Sequence, residues 1–465
     1  MTPRFPLAAW AGCLPAVALV LSGCSTLDPQ AGHESVRQRI QERSGQTFTP
    51  SSEPSTTGPV ELDNADAAVR LALGNTPRVH GILATMDAAE ARAVQGSLLR
   101  NPFLHATFLY PRDGQGKTID AGLSWDLLGL ISLGPRRAAA DQARSLARQT
   151  AVSDILGLAA RSRAAWYAHL ADREGIELLT VQAEAADLNA ELGERLEQAG
   201  NLPPLGMASA QATRLDVRYA LEDARLAAQT SLERLASLLG IDEPARLKLP
   251  ARLPRLPTSD PPAPDPAALA AFDLRLASLT ADLERARNQA GAVRRTGWTD
   301  GLELGWSWER ETSGEWKDGP SVGVALPFFD TGAARRAAAR ADVARLEASV
   351  AERKLALARE TREAFSRMQR ARDRVENLRE RLLPLLSDAR DEALLQYNAM
   401  QKSPFHLLDL KQRELVAVRQ LVQGLADYWQ ARTALESLKL GVSLVLEETP
   451  RAPQTGPVAT QTGGH

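Results

Sequence analysis

The stretch Thr118–Leu127, TIDAGLSWDL, decides how the chain is to be read. Ile119, Ala121, Leu123, Trp125 and Leu127 are apolar, and Thr118, Asp120, Gly122, Ser124 and Asp126 between them are small or polar. A period of two means a strand with two unlike faces. Directly after it, GPRRAAADQARSLARQTAVSDILGLAARSRAAW reads as unbroken helix. The chain is therefore mainly helical with a small, deliberate β part.

Three more runs alternate in the same way. They span about residues 104–112, 301–309 and 321–328, and TIDAGLSWDL sits in a run spanning about 117–127. Leu104, Ala106, Phe108 and Tyr110 oppose His105 and Thr107. Leu302, Leu304, Trp306 and Trp308 oppose Glu303, Gly305, Ser307 and Glu309. Val322, Val324, Leu326 and Phe328 oppose Ser321, Gly323 and Ala325. Segments of ~10 residues with this pattern are the signature of a transmembrane β-barrel. A soluble sheet with one buried face is the competing interpretation. Four strands cannot close a barrel, because every strand edge in lipid must be paired. If these strands span a membrane, the chain must oligomerise, and barrel width favours three copies over two.

The N-terminus supplies an address. MTPRFPLAAWAGCLPAVALVLSGCS carries Arg4, an apolar run and then Leu21-Ser22-Gly23-Cys24. The run is too short to span a bilayer, so residues 1–23 read as a secretory signal. The tetrapeptide resembles a bacterial lipobox, which implies lipidation of Cys24, and Ser25 after it implies outer-membrane sorting. The other cysteine, Cys13, falls inside the signal, so the mature chain can form no internal disulfide. A net charge of -2 gives no basic surface for nucleic acid.

The body repeats itself. GPRRAAADQARSLA from Gly134 matches GAARRAAARADVARLEA from Gly332, and SLERLASLLGI ending at Ile241 matches TALESLKLGV ending at Val442. The division is then a 24–60 tether rich in Ser, Thr and Pro, a first repeat over 61–249, and a Pro-rich connector over 250–266. A second repeat over 267–446 and a disordered tail over 447–465 complete it. Each repeat holds a helical entry, two strands and one very long helix, from Pro135 to about Glu197 and from Ala333 to Pro384. Sixty helical residues rise ~90 Å. Helix-to-helix turns follow near 199–209 and 399–406.

AVRLALGNTPRV, AEARAVQGSLLRNPFL, VGVALPFFDTGAARRAAARA and LLPLLSDARDEALLQYNAM, in this order and within a duplicated frame, resemble the TolC-type outer-membrane efflux protein family in its lipidated branch. The resemblance covers about Glu61 to Leu446. It implies a homotrimer whose strands form one shared 12-stranded transmembrane barrel, continued by a helical tunnel in the periplasm. It implies a kink at Pro384. It also implies that the turns meet a periplasmic adaptor protein, through Gly200 and Asn201 in the first turn and Met400 in the second. Met400 stands where the family usually has Gly. Tyr397, Lys402 and Asp409 match positions of the family's closing gate, and His406 stands where an acidic residue is common.

No phosphate loop, HExxH or nucleophile elbow is present, and the six histidines form no ligand pair at helical spacing. Neither a cofactor nor a metal centre nor enzyme chemistry is expected. Asp120, Asp126, Glu303 and Glu309 share the polar parity and would line the pore, with His105 beside them. Trp125, Trp306, Trp308 and Tyr110 lie on the apolar parity and would sit at the lipid interface. The expected role is a passive exit duct of a tripartite system, working with an adaptor and an inner-membrane pump such as an RND transporter. Its cargo would be heavy-metal ions such as copper, or drugs. A periplasmic adaptor and a structural coiled-coil envelope lipoprotein remain the alternatives.

Overall fold

The computed structural model describes residues 28–47, 58–99, 101–110, 117–125, 133–296, 303–323 and 332–444. Within these, α1 is Pro29–Ser44, β1 Val60–Glu61, α2 Ala65–Asn75, α3 Pro77–Ser97, β2 Phe103–Leu109 and β3 Thr118–Trp125. Next come α4 Leu133–Gln198, α5 Pro204–Leu239, β4 Leu247–Lys248, α6 Pro266–Ala270, α7 Leu274–Thr296, β5 Glu303–Arg310 and β6 Trp316–Gly323. The chain finishes with α8 Ala333–Asn377, a π turn over Leu378–Leu382, α9 Leu383–Asn398 and α10 Pro404–Lys439. No described helix is long and apolar enough to cross a membrane. The duplicated order of helices, hairpin and long helix expected from the sequence is present. Two compact units emerge, each built from separated stretches of chain.

The first unit holds Met1–Thr47, His80–Val152 and Leu274–Arg353, and with them the four-stranded sheet. The strands run β2-β3-β5-β6, antiparallel throughout. Two hairpins that are separate in sequence thus fuse through β3 and β5, where Ala121 pairs with Trp308 and Leu123 with Trp306. Among the described residues β2 and β6 each have a neighbour on one side only. One boundary differs from expectation. The last strand begins at Trp316 rather than at 321 and is described to Gly323, and Val324, Leu326 and Phe328 lie outside the described residues. Pro320 sits inside this strand.

The tether also differs. Instead of extended chain throughout 24–60, Pro29–Ser44 is helical. Asp28 caps it, accepting from the backbone N–H of Gln30 (3.0 Å) and Ala31 (3.3 Å), and Gly45 closes it in the left-handed region at φ 67°. Val36 and Ile40 are fully buried. Gly32 brings α1 close to α3: a Cβ there would stand 3.3 Å from Met86 Cε. His33 Nε2 lies 3.1 Å from both carboxylate oxygens of Asp87. Glu90, nearly buried, accepts from Arg148 Nε at 2.6 Å.

The second unit holds Phe48–Val79, Ser153–Asp273 and Lys354–His465. Leu62, Ala68, Ala72, Trp166, Leu170, Leu235, Leu239, Val422 and Ala426 form its core. Burying apolar area of this kind contributes ~25 cal/mol per Å². Gly240 closes α5 at φ 70°, and a Cβ there would lie 2.8 Å from the backbone of Thr76, so no larger residue fits. The connector 250–266 is fastened rather than loose. Pro254 O accepts from Trp429 Nε1 (3.0 Å), and Asp260 accepts from Tyr428 OH (2.6 Å) and Arg372 Nε (3.2 Å). Burial and the Asp260 carboxylate push the Tyr428 phenol up to about 12.

Candidate functional site

Two places in the chain carry the expected site residues, the sheet and the two helix turns. They belong to different units and are taken in turn.

On the polar face of the sheet the register sets Thr107, Asp120, Glu309 and Lys317 in one row across all four strands. The next row is His105, Gly122, Ser307 and Gly319, and the one after is Phe103, Ser124, Gly305 and Ser321. Asp120 and Glu309, expected apart in sequence, are therefore direct cross-strand neighbours. His105 Nε2 lies 3.7 Å from Asp120 Oδ1. The His105 ring covers Gly122, where a Cβ would meet it at 2.3 Å, so glycine is needed for the imidazole to lie flat. Glu303 lies in β5 opposite Gly323. Asp126 and Cys24 lie outside the described residues. Lys317 was not expected on this face, because TSGEWKDG reads as loop. The lysine is held by Glu311.

The other face carries Leu104, Ala106, Phe108, Ile119, Ala121, Leu123, Trp306, Trp308, Trp316, Pro320 and Val322, with the charged Arg310 and Asp318 among them. Phe108, Trp306, Trp316 and Val322 are exposed in the single chain, as is Tyr110 just past β2. A two-faced sheet with an uncovered apolar side and two open edges is not self-sufficient in water. No group of His, Cys, Asp and Glu suited to a metal ion occurs among the described residues.

The two turns share one backbone plan. After α4, Gly200 takes φ 73°, its N–H donates to Glu197 O (2.9 Å) and Asn201 N–H donates to Leu196 O (2.8 Å). After α9, Met400 takes φ 58°, its N–H donates to Tyr397 O (2.9 Å) and Gln401 N–H donates to Gln396 O (2.8 Å). This is the wrap-back closure of a helix C-terminus, which favours glycine. Met400 is the sole non-glycine at positive φ among the described residues, and it is 95% exposed. Pro204 and Pro404 open the returning helices, where a missing N–H costs nothing.

Of the expected gate residues, Tyr397 and Lys402 are exposed and Asp409 pairs with Arg413 on its own helix at 2.9 Å. His406 is exposed. Pro384 begins α9 directly after the π turn, whose Leu383 N–H reaches back to Leu378 O. The wider turn accommodates a proline that would leave Glu380 O unpaired in a regular helix.

No family model and no curated protein matches this sequence. Solved structures do match. The CmeC outer membrane channel of Campylobacter jejuni aligns with a TM-score of 0.67 at 16% identity, over 86% of this chain and 92% of that one. The outer membrane protein VceC of Vibrio cholerae gives 0.64 at 18%, covering 81% and 96%. The open-state MtrE outer membrane channel of Neisseria gonorrhoeae gives 0.62 at 16%, covering 85% and 97%. The chain thus has the fold of TolC-type outer-membrane channels, mainly helical with a small sheet, over nearly their whole length.

Proposed function

We propose that this chain is the outer-membrane channel of a tripartite export system, a passive exit duct from the periplasm to the outside. The observation that carries this is the two-faced, four-stranded sheet with both edges open, on a fold shared with outer-membrane channels. In lipid the edges of β2 and β6 must find partners, and three copies supply twelve strands to one closed barrel. The apolar face then meets lipid. The polar face, with Asp120, Asp126, Glu303 and Glu309, lines a hydrated pore with a mild preference for cations.

Cys24 carries the lipid anchor. The turns at Gly200, Asn201 and Met400 meet a periplasmic adaptor, and Tyr397, Lys402 and Asp409 close the channel until the adaptor holds it open. The energy comes from an inner-membrane pump of the RND type, so the chain itself performs no chemical reaction and needs no cofactor. Heavy-metal ions such as copper, or drugs, are the cargo. A periplasmic adaptor or a coiled-coil lipoprotein fits the chain less well, since neither needs this sheet.

The test is reconstitution. Purified protein should run as an oligomer that falls to monomer on heating, and should conduct in planar bilayers. A delipidated chain that stays monomeric, soluble and without conductance overturns the proposal. A deletion strain screened against a panel of metals and drugs then identifies the cargo.

A further inference from the structure

Two charged side chains, Arg310 and Asp318, stand on the apolar face of the sheet. Arg310 has the parity of Trp306 and Trp308 and pairs in register with Trp316, so it belongs to the apolar side. It is the last residue of β5, next to the turn, and its guanidinium stands 6.0 Å from the centre of the Trp316 ring. Its Nε is shielded from solvent and has no hydrogen-bond partner, and no carboxylate among the described residues forms an ion pair with it. The acids nearby are engaged elsewhere. Asp318, two register pairs further into the sheet and on the same face, accepts from Trp306 Nε1 at 3.2 Å, and Glu311 holds Lys317.

A guanidinium on a lipid face, set over the Trp316 indole and without a carboxylate partner among the described residues, suits an anion that a membrane offers at that depth. Indoles settle at the headgroup level, and arginine binds phosphate through a planar fork. We propose that Arg310, set over the Trp316 ring, binds the phosphate of an anionic lipid headgroup at the turn end of the β5–β6 hairpin. This rests on the channel proposal above, which puts that face in the bilayer. A side chain that merely reached past the headgroups into water would show no preference among lipids.

The experiment uses the full-length oligomer reconstituted into phosphatidylcholine with spin-labelled phosphatidylglycerol or spin-labelled phosphatidylcholine as probe. Electron spin resonance then gives the ratio of the two association constants for the lipid in contact with protein. The wild type should favour phosphatidylglycerol, Arg310→Gln should lower that ratio about fivefold, and Arg310→Lys should keep most of it. Lys317→Gln, on the opposite face, should leave the ratio unchanged. An unchanged ratio in Arg310→Gln, or an equal fall in Lys317→Gln, overturns the lipid site. Tryptophan quenching by brominated acyl chains separates the two levels. Quenching with no lipid preference refutes this site alone, whereas no quenching refutes the membrane placement on which it stands.

Discussion

The two helical hairpins that end in the turns can be compared residue by residue, because their positions differ by 200. Above the first turn, Arg214 on α5 donates through Nε to Asp187 on α4 at 2.7 Å, with Arg218 adding a second bond at 3.1 Å. Above the second, the position equivalent to Arg214 is Glu414 on α10. It accepts two bonds from Arg390 on α9, at 2.9 and 2.8 Å, and one from Lys411 at 3.1 Å. The anchoring position is the same with its charge reversed, and its partner has moved by three residues, since Asp187 corresponds to Ser387 and not to Arg390. At the turn the backbone is again the same, but Met400 replaces Gly200. Duplication has kept the arrangement of the chain and let the chemistry drift wherever another side chain could do the same work.

The strongest way to break this equivalence is to confuse the charges. Glu414 is more deeply set than Asp187, so Arg390→Glu should cost the second hairpin about 2–3 kcal/mol of local stability, read as faster hydrogen exchange along α9 and α10. Arg214→Glu should cost the first hairpin about 1 kcal/mol, because Arg218 still holds Asp187. The double exchange Arg390→Glu with Glu414→Arg should recover most of the loss. Equal losses at both hairpins, or no recovery, would end the view of one anchoring position used in two polarities.

The turns allow a smaller test, with opposite signs. Gly200→Met forces a side chain into the left-handed region and should cost about 1–2 kcal/mol. Met400→Gly releases that constraint and should gain up to ~1 kcal/mol, seen as slower exchange at the amide of Gln401. If both changes destabilise, Met400 contributes contacts that its 95% exposure in the single chain does not suggest.

Acid gives the smallest effect. Hydrogen bonds from Arg218 and Arg214 hold the Asp187 carboxyl below its ordinary value against a burial cost. Burial pushes the Glu414 carboxyl up, and the bonds from Lys411 and Arg390 outweigh it, so the net shift is again downward. A folded-state value below the unfolded one means that the clasp's contribution is complete above about pH 4. It fades as pH falls through the lowered values. Corrected exchange along both hairpins should therefore be flat from neutral pH to about pH 4 and rise below it. A rise between pH 5 and 7 would point to another titrating group.

Much of this was legible in the chain, and the exceptions have physical causes. The alternation in TIDAGLSWDL gave β3 and its two faces, since a strand's faces are a local property. The pairing of β3 with β5 joins residues some 180 positions apart, such as Ala121 and Trp308, and no local pattern encodes it. The start of β6 was hidden because Lys317, Asp318 and Pro320 look like a turn, and only the partner strand makes them a strand. The helix Pro29–Ser44 could have been found. Asp28 before Pro29 and Gly45 after Ser44 are ordinary start and stop signals, which the Ser, Thr and Pro content of 24–60 as a whole masks. Parity puts Asp120 and Glu309 on the polar face and only the β3–β5 pairing makes them neighbours, while the exceptions to parity, Arg310 and Asp318, fall at the end of a run and in a stretch that reads as a turn.

The open edges of β2 and β6 have a consequence for inheritance. In a ring closed by the first strand of one copy on the last strand of the next, each copy contributes both halves of a joint. A copy with one spoiled edge still enters the ring through its sound edge and then leaves it unsealed. On the channel proposal, a cell carrying one good gene and one edge-damaged gene would lose most of its closed rings, not half. Such lesions should therefore behave as dominant, while lesions in the helical cores, which keep the copy from folding at all, should be recessive.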